Sequence, residues 1–285
     1  MPFAALLGRT ATLPIVRFGS PGAFLALKQG EYKDGEPTIL LLGAEIPVGA
    51  TEGDELLVFV YKDSEGRPLA TISRPKLELD EVAFLEVTAR TDFGCFVDWG
   101  LPKQLLVPFA EQTADMNVGA TYAVALYLDP SGRLAGTMRV TERLRARGEF
   151  EQDEWVMGEA WRNDPDIGLF VIVERTFVAL VPRSERHTLS RGQSARFRVS
   201  NILEDGKIEL SLRGRAHEEL DNDAAKILAV LARPGTPTLG DHSSPEAISR
   251  AYGLSKKAFK RAVGRLLKQG AVIISPDRTI ALSGK

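Results

Sequence analysis

Apolar and polar residues alternate along most of the first 215 positions, in short runs separated by Gly, Pro and Asp. The runs are rich in β-branched and aromatic residues, as in FLEVTA (84–89), YAVALYLD (122–129) and ARFRVSNI (195–202). A period of two is typical of a strand with one buried face, and Gly, Pro and Asp mark turns. The pattern therefore predicts a long N-terminal region built from short β-strands.

The runs recur three times in the same order. The middle copy reads FLEVTA, FGCFV, QLLVPFAEQ, a Gly-opened YAVALYLD, a P-S-G turn and RLAGTMR. The third copy reads GEAW, IGLFVIV, FVALVPRSER, a Gly-opened ARFRVSNI, an E-D-G turn and KIELSLR, and a looser copy begins at LPIVRF. Five short strands per copy predict three small closed sheets in tandem.

Two sets of glycines recur with the strands. One set opens the second strand of each copy, where a barrel strand must bend sharply over its own core: Gly22, Gly94 and Gly168. The other set lies in the hairpin between the last two strands, where a positive φ is needed: Gly66, Gly132 and Gly206.

After Arg215 the apolar spacing becomes helical. A first helix in HEELDNDAAKILAVLA (217–232) turns one face inward, formed by Leu220, Ala224, Ile227, Leu228 and Leu231. Arg233-Pro234-Gly235 ends this helix.

Two further helices and a hairpin follow. Ser244 caps a short helix that begins at Pro245 and ends at the Gly253 turn, and Ser255 caps a longer helix that Gly270 stops. The longer helix buries a stripe made of Phe259, Ala262, Val263, Leu266 and Leu267. With the hairpin AVIISPDRTIALS, this order predicts a helix-turn-helix with a wing.

The repeated strings also resemble a known family. DFGCFVDWGLPKQLLVPFAEQ (92–112), and more loosely the third copy, resembles the OB-fold RNA-binding repeat named after the largest protein of the small ribosomal subunit. Three such repeats before a winged helix, with D-W-G-L-P-K-x-L-L-V-P in the middle one, resemble the conserved virulence factor B family. The resemblance covers essentially the whole chain and implies RNA binding with an influence on virulence-gene expression.

The chain departs from the repeat pattern at the RNA face. Many such repeats carry a histidine after the L-V of the third strand, where this chain has Gly43, Pro108 and Pro182. The aromatic residue before the first glycine is Phe93 in the middle copy but Ile167 in the third. The resemblance therefore implies only a partial RNA-binding face.

The predicted fold class is mainly β with a small α+β C-terminal domain. It consists of three tandem OB-fold β-barrels followed by a winged helix-turn-helix. The expected boundaries are a first barrel at 1–80, a second at 81–142, a linker at 143–154, a third barrel at 155–215 and a winged helix at 216–285.

Composition adds little, but the distribution of charge changes the picture. Hydrophobic residues make up 44% and charged residues 26%, as in ordinary globular proteins. No apolar run approaches the roughly 20 residues of a membrane span, and no secretory signal is visible, so we expect a cytoplasmic location. Residues 1–155 carry 15 Lys and Arg against 23 Asp and Glu, whereas residues 156–285 carry 21 against 15. A polyanion is therefore expected to bind the C-terminal half.

Aromatic residues of the barrels are candidates for stacking on bases. Phe93, Phe96 and Phe170 are the predicted stacking residues, with Phe24 a weaker candidate. The alternative is that Phe24, Phe96 and Phe170 fill the barrel interiors, whereas Phe93 lies on another face near the bend.

Basic residues form two candidate groups. The first group belongs to the third barrel and is predicted to contact RNA, unless it is simply a solvated strand face: Arg183, Arg196, Arg198, Lys207 and Arg213. Arg196 and Arg198 flank Phe197 on one strand and share a face. The second group covers the outer side of the longer helix, where ordinary amphipathicity or protein docking is the alternative: Lys256, Lys257, Lys260, Arg261, Arg265 and Lys268.

Other residues give no sign of catalysis. Cys95, which has no second cysteine with which to form a disulfide, and the three histidines His187, His217 and His242 lack metal-ligand spacing. Trp99 and Lys103 are interpreted as loop packing between repeats. We expect no enzyme activity and no cofactor, although a metal-dependent nuclease is a remote alternative.

The sequence favours a binding protein for single-stranded RNA. The third barrel and the winged helix would cooperate, and the acidic first two barrels would be structural or bind proteins. One alternative is a DNA-binding regulator that acts through the winged helix. Another is a scaffold that contacts ribosome-associated or other basic proteins. The oligomeric state and the RNA target stay open.

Overall fold

A computed structural model describes residues 2–27, 32–63, 65–213, 216–233, 235 and 239–283, with backbone alone at 2 and 216–221. The chain divides into two compact units, Met1–Leu210 and Ser211–Lys285. The first unit contains three five-stranded sheets, and the second contains three helices and a hairpin. The predicted fold class is confirmed, whereas the domain boundaries drawn from the sequence stay a prediction.

The first sheet is a closed barrel with the order β1-β2-β3-β5-β4. Its third and fifth strands pair in parallel, which closes the barrel. A short helix, α1 (Pro2–Leu6), precedes β1 (Thr10–Gly19), β2 (Gly22–Ala26), β3 (Thr38–Leu42), β4 (Glu55–Lys62) and β5 (Pro68–Thr71).

The middle sheet repeats the strand order but is held together differently. Its order is β10-β9-β6-β7-β8, so β8 and β10 are edge strands in hydrogen-bonding terms. A Cβ at Gly136 of β10 would lie 2.8 Å from the side chain of Val107 on β8, so the sheet still curls onto itself. Its strands are β6 (Val82–Arg90), β7 (Gly94–Asp98), β8 (Leu105–Pro108), β9 (Thr121–Leu128) and β10 (Leu134–Thr137).

The third sheet is again a closed barrel, with the order β11-β12-β13-β15-β14. Part of the predicted linker packs on it, because Arg145 forms a bridge with Phe177 and the ring of Phe150 lies edge-on to Phe177 at 5.1 Å. The strands are β11 (Trp155–Asp164), β12 (Gly168–Val173), β13 (Phe177–Pro182), β14 (Ser194–Ile202) and β15 (Ile208–Ser211).

The hairpin glycines behave as predicted. Gly66, Gly132 and Gly206 have φ values of 82°, 72° and 79°, in the region that favours glycine. Each precedes the last strand of its sheet and closes the hairpin there.

The second unit has the predicted helix-turn-helix and wing. Its elements are α2 (Ala216–Leu231), α3 (Pro245–Tyr252), α4 (Lys256–Lys268), β16 (Val272–Ile274) and β17 (Ile280–Leu282). Ser244 and Ser255 cap α3 and α4 by accepting hydrogen bonds from Ala247 N and Ala258 N, and Gly253 adopts a left-handed φ of 66°. The predicted stripe on α4 faces the core, where Phe259, Ala262 and Leu266 are buried and Val263 and Leu267 half-buried.

The predicted inner face of α2 is partly described. Ala224 and Ile227 are buried, and Leu228 and Leu231 pack against the same core. The side chains of Leu220 and His217, like the residues Arg215 and Pro234, lie outside the described part of the chain. No described helix is long and apolar enough to cross a membrane.

Candidate nucleic-acid interface

One phenylalanine occupies the same position on the second strand of each barrel. Phe24, Phe96 and Phe170 are half-buried, whereas the residues on either side of each are buried in the barrel core. Because side chains alternate between the two faces of a strand, the three rings point away from the interiors. The alternative that these rings fill the barrels is therefore wrong, and their faces are placed where a base could reach them.

The first-strand residue that pairs with this phenylalanine differs between the barrels. Arg17 lies opposite Phe24 and Arg162 opposite Phe170, after a bulge in each first strand. The Arg17 guanidinium lies 3.5 Å from the Phe24 ring centroid, and that of Arg162 lies 4.6 Å from the Phe170 centroid. Both are cation–π contacts that cover one ring face.

In the middle barrel the matching ring, Phe96, has no arginine opposite it. Ala89 lies opposite Phe96, and a methyl group cannot shield the ring. Phe93, 57% exposed, stands edge-on to Phe96 with 6.1 Å between centroids. The two predicted stacking residues of this barrel therefore form one aromatic pair beside the bend.

Three of the five predicted cations of the third barrel contact carboxylates. Arg183 lies 3.8 Å from Asp166, and Lys207 lies 2.6 Å from Asp205 in its own hairpin. The side chain of Arg198 is only 14% exposed and bonds Asp153 at 2.6 Å. Loops therefore bring acidic side chains beside these three cations.

Arg196 is placed differently from its neighbour Arg198. Phe197 between them is buried, as the alternation required. Arg196 is exposed and its guanidinium lies 5.3 Å from the ring centroid of Trp155, which is 40% exposed on the adjoining strand. This pair offers a cation and an accessible aromatic face on one surface.

The structure does not bring all the third-barrel candidates together. Arg196 lies beside the first residues of β11, across from Met157, whereas Phe170 lies beside Arg162 near the other end of that strand. The five residue steps from Met157 to Arg162 span roughly 17 Å of strand. Arg213, exposed just beyond β15, has its backbone N–H bonded to the Ser211 hydroxyl. The candidates thus form two cation–aromatic pairs rather than one patch.

One acid lies on the same face of β11 as Trp155. Burial raises the pKa of Glu159, while nearby Arg175 and a hydrogen bond to Ser194 act in the opposite direction. Its Oε2 atom has no hydrogen-bond partner among the described residues. The Glu159 side chain is half-buried on the face of β11 that carries Trp155.

The basic face of α4 is largely open, with two exceptions. Lys260 bonds Asp241 at 2.7 Å, and this hydrogen bond holds the pKa of that carboxyl below its usual range. Lys256 is half-buried and donates to the Ser243 carbonyl at 3.0 Å. Asp241, which lies outside the helix, therefore compensates the charge of Lys260.

The remaining members of this group extend into solvent. Lys257, Arg261 and Lys268 are exposed, and none forms an ion pair with a described residue. Arg265 is half-buried and has partners of its own. Three free cations on a helix of a helix-turn-helix suit a phosphate backbone.

The D-W-G-L-P-K loop packs between barrels, as interpreted from the sequence. Trp99 is only 2% exposed and stands edge-on to Phe59 of the first barrel at 5.8 Å. The Lys103 ammonium donates to the carbonyls of Lys62 and Asp63, and burial lowers the pKa of Lys103.

Sequence reasoning missed Trp155 and Arg162. Aligning the three copies would have revealed Arg162, because Arg17 and Arg162 occupy matching places on the first strand. Among the residues described, no group of His, Cys, Asp and Glu is arranged to hold a metal ion.

Comparisons with known proteins agree with this architecture. The S1 domain family matches residues 7–73 and 81–139, and the CvfB-like winged helix domain family matches 225–280. Both are nucleic-acid-binding domain types and neither is catalytic, so the chain has the domain content of a nucleic-acid-binding protein.

Similar proteins extend over most of the chain. YitL of Bacillus subtilis (strain 168) is 32% identical over 93% of this chain and 90% of its own length. Conserved virulence factor B of Staphylococcus epidermidis (strain ATCC 12228 / FDA PCI 1200) is 30% identical over 79% of each chain. That of Staphylococcus aureus (strain USA300) is 29% identical over 94% of this chain and 88% of the relative.

A solved structure is also similar. It is a multidomain protein with nucleic acid binding domains from Streptococcus pneumoniae, 27% identical, with a TM-score of 0.40 over 98% of this chain and 99% of that one. On the length and identity of the sequence matches, the chain belongs to the conserved virulence factor B family.

Proposed function

We propose that this protein binds single-stranded RNA through its third barrel together with its winged helix, and regulates gene expression after transcription. The observation that carries the proposal is the Arg196–Trp155 pair, an exposed aromatic face beside a cation with no carboxylate partner in the described chain. Stacking on a ring requires an unpaired base, and a nearby guanidinium can bind the phosphate.

The Arg162–Phe170 pair also combines an aromatic ring with a nearby cation. Arg162 lies over Phe170 and is exposed, so it can either cover the ring or move to a phosphate. Duplex nucleic acid keeps its bases stacked internally, so neither pair would find a base face in a duplex. The name of the Staphylococcus relatives, conserved virulence factor B, supports a link to virulence.

A competing function is duplex DNA binding through α4. Its support is the exposed trio Lys257, Arg261 and Lys268 on the second helix of a helix-turn-helix. This alternative predicts tight, sequence-selective binding to double strands with no preference for single strands.

The test is a fluorescence-anisotropy titration of the full chain with a labelled pyrimidine 12-mer RNA. The double variant Trp155→Ala, Arg196→Ala is expected to weaken binding about 5- to 150-fold, the loss of one stacked base. Arg67→Ala is the control, because this exposed cation of the acidic first barrel bonds Asp63 and Glu65. Unchanged affinity in the double variant, or tighter binding to duplex DNA, would refute the proposal.

A further inference from the structure

A cavity of about 330 Å³, here called the Trp161 cavity, lies in the third barrel between the end of β11 and the loop that joins β13 to β14. Its volume is within the roughly 300–1,000 Å³ typical of small-molecule sites. Apolar side chains, an amide and two cations line it: Trp161, Arg162, Asn163, Leu169, Leu189 and Arg191. The cavity therefore has the size and the mixed lining of a ligand site.

The charge of this lining distinguishes the Trp161 cavity from other cavities of the first compact unit. Three others each include a carboxylate, namely Asp63 and Asp129 in one, Asp164 and Glu185 in another and Glu142 in the third. The Trp161 cavity has two guanidinium groups and no carboxylate in its lining. Two like charges beside one cavity repel each other, and an anion between them would relieve the repulsion. The lining therefore favours an anionic ligand.

The polar groups of the Trp161 cavity have hydrogen-bonding capacity that the described chain does not use. Arg162 and Arg191 are exposed and contact aromatic rings, at 4.6 and 6.0 Å from the ring centroids. Neither guanidinium forms an ion pair or a hydrogen bond with a described residue, and the same holds for hydrogen bonds of the Asn163 amide and the Trp161 indole N–H. Each guanidinium has five N–H donors in a planar fork that matches a phosphate.

The walls of the cavity are held in place by packing. Trp161 lies at the bulge of β11 and packs against a core that includes Val82 of the middle barrel. The loop that carries Arg191 is bonded to β11, because the Gly192 N–H donates to the Ala160 carbonyl at 2.7 Å. A preformed site loses little binding free energy to the ordering of its own groups. The cavity is therefore organised before a ligand arrives.

The number of cations and the neighbouring ring narrow the class of anion. A phosphate monoester carries a charge of about −1.5 to −2 at pH 7 and bonds arginine through two parallel hydrogen bonds. Each phosphodiester of an RNA strand carries one charge, so two arginines suit a monoester better. The half-buried Trp161 ring, whose centroid lies 5.6 Å from the Arg162 guanidinium, offers a flat apolar surface beside the phosphate position.

We propose that the Trp161 cavity binds a small phosphate monoester with a flat apolar group. The phosphate would lie between Arg162 and Arg191, and the flat group would pack on Trp161. This inference goes beyond the proposed function and does not depend on RNA binding. It adds a small-molecule site to the barrel in which the RNA contact is proposed.

The test is isothermal titration calorimetry of the full chain with phenyl phosphate as the probe. Phenol and inorganic phosphate, which each lack one half of the probe, are expected to bind at least about 10-fold more weakly. Phenol that binds as tightly as phenyl phosphate would overturn the anion assignment. Inorganic phosphate that binds as tightly would overturn the role of the ring.

Matched arginine variants assign the binding to this cavity. Arg162→Gln and Arg191→Gln are each expected to weaken phenyl phosphate binding about 10- to 150-fold, the loss of a charged hydrogen bond. Arg186→Gln is the control, because Arg186 is an exposed arginine of the same loop that does not line the cavity. It should change the affinity less than about 2-fold, since only a screened charge is lost. Equal losses in all three variants, or no binding to the wild-type chain, would overturn the inference.

Tryptophan fluorescence gives a second readout at the cavity itself. Trp161 is one of three tryptophans, and Trp99 is buried in the middle barrel. In a Trp155→Phe chain, phenyl phosphate is therefore expected to change the emission, and a further Trp161→Leu change is expected to abolish that response. A response that persists without Trp161 would place the probe elsewhere and contradict the proposal.

Titrations with the pyrimidine 12-mer RNA, made with a 5′-hydroxyl end, separate a small ligand from an RNA phosphate. Arg191→Gln is expected to leave the affinity for this RNA within about 2-fold, because it alters only a screened charge there. An equal loss of RNA and of phenyl phosphate binding would overturn the small-molecule assignment in favour of an RNA phosphate. If phenyl phosphate does not bind but the Trp155→Ala, Arg196→Ala variant loses RNA affinity, this inference fails and the proposed function stands.

Discussion

At the scale of single residues, each barrel depends on a glycine at the start of its second strand. A Cβ on Gly22, Gly94 or Gly168 would lie 2.0, 2.4 or 2.1 Å from a carbonyl oxygen of the third strand. The sequence predicted glycine here because the strand bends. The structure gives a more specific reason, which is that the backbones of two neighbouring strands nearly touch.

Gly168→Ala is therefore expected to destabilise the third barrel. The added methyl would meet the Val181 carbonyl, and φ at this position is 136°, so we expect a loss of about 3 kcal/mol in the free energy of unfolding. Urea denaturation followed by circular dichroism measures it. Gly264→Ala is the control, because this glycine of α4 has open space around it, and its replacement should stabilise by about 0.5–1 kcal/mol. Equal effects of the two changes would contradict the steric argument.

At the scale of elements, periodicity locates the helices but not the partners of their outer faces. The stripe on α4 follows directly from the spacing of Phe259, Ala262 and Leu266. Asp241, which bonds Lys260, belongs to the segment before α3 and could not be read from the helix itself. The cations of α4 that form no ion pair in the described chain are therefore those that no other segment binds.

The three free cations of α4 are expected to set the salt dependence of nucleic-acid binding. Replacing Lys257, Arg261 and Lys268 by Gln should lower the slope of log affinity against log salt by about 2 for single strands, if each binds one phosphate. Anisotropy titrations between 50 and 200 mM salt, roughly the range in which such contacts dominate, measure the slope. Lys260→Gln should change it less, because Asp241 already compensates that charge. An unchanged slope in the triple variant would remove α4 from the interface.

At the scale of the first compact unit, the first two barrels dock through the loop that follows β7. Trp99 lies in the core of the middle barrel and contacts Phe59 of the first barrel. Lys76, between the two barrels, bonds Asp98 at 2.6 Å, and its N–H donates to the Trp99 carbonyl. These contacts hold the first two barrels together.

Trp99→Ala is expected to uncouple the first two barrels. Removing a buried tryptophan should cost about 3–5 kcal/mol and split urea denaturation of the first two barrels into two steps. Circular dichroism together with limited proteolysis resolves the steps. Trp155→Ala, at an exposed tryptophan, should cost less than about 1 kcal/mol. A single unshifted transition for Trp99→Ala would show that the loop is not the coupling element.

Local patterns in the amino-acid sequence predicted the number and order of the strands, the hairpin glycines and the capped helices. These features depend on neighbours a few positions apart, through side-chain alternation, positive φ and N-cap hydrogen bonds. The three phenylalanines could also be found in this way, since the repeat places them at matching positions, and helical spacing predicted the basic outer face of α4.

Long-range packing determines which of these residues are accessible and which are paired. Asp153 and Arg198 are 45 positions apart, yet they form the ion pair that withdraws Arg198 from the surface. Ala89, rather than an arginine, lies opposite Phe96, so this ring has no cation over it in the described part of the chain. Long-range contacts of this kind depend on strand register and barrel docking, which local periodicity does not encode.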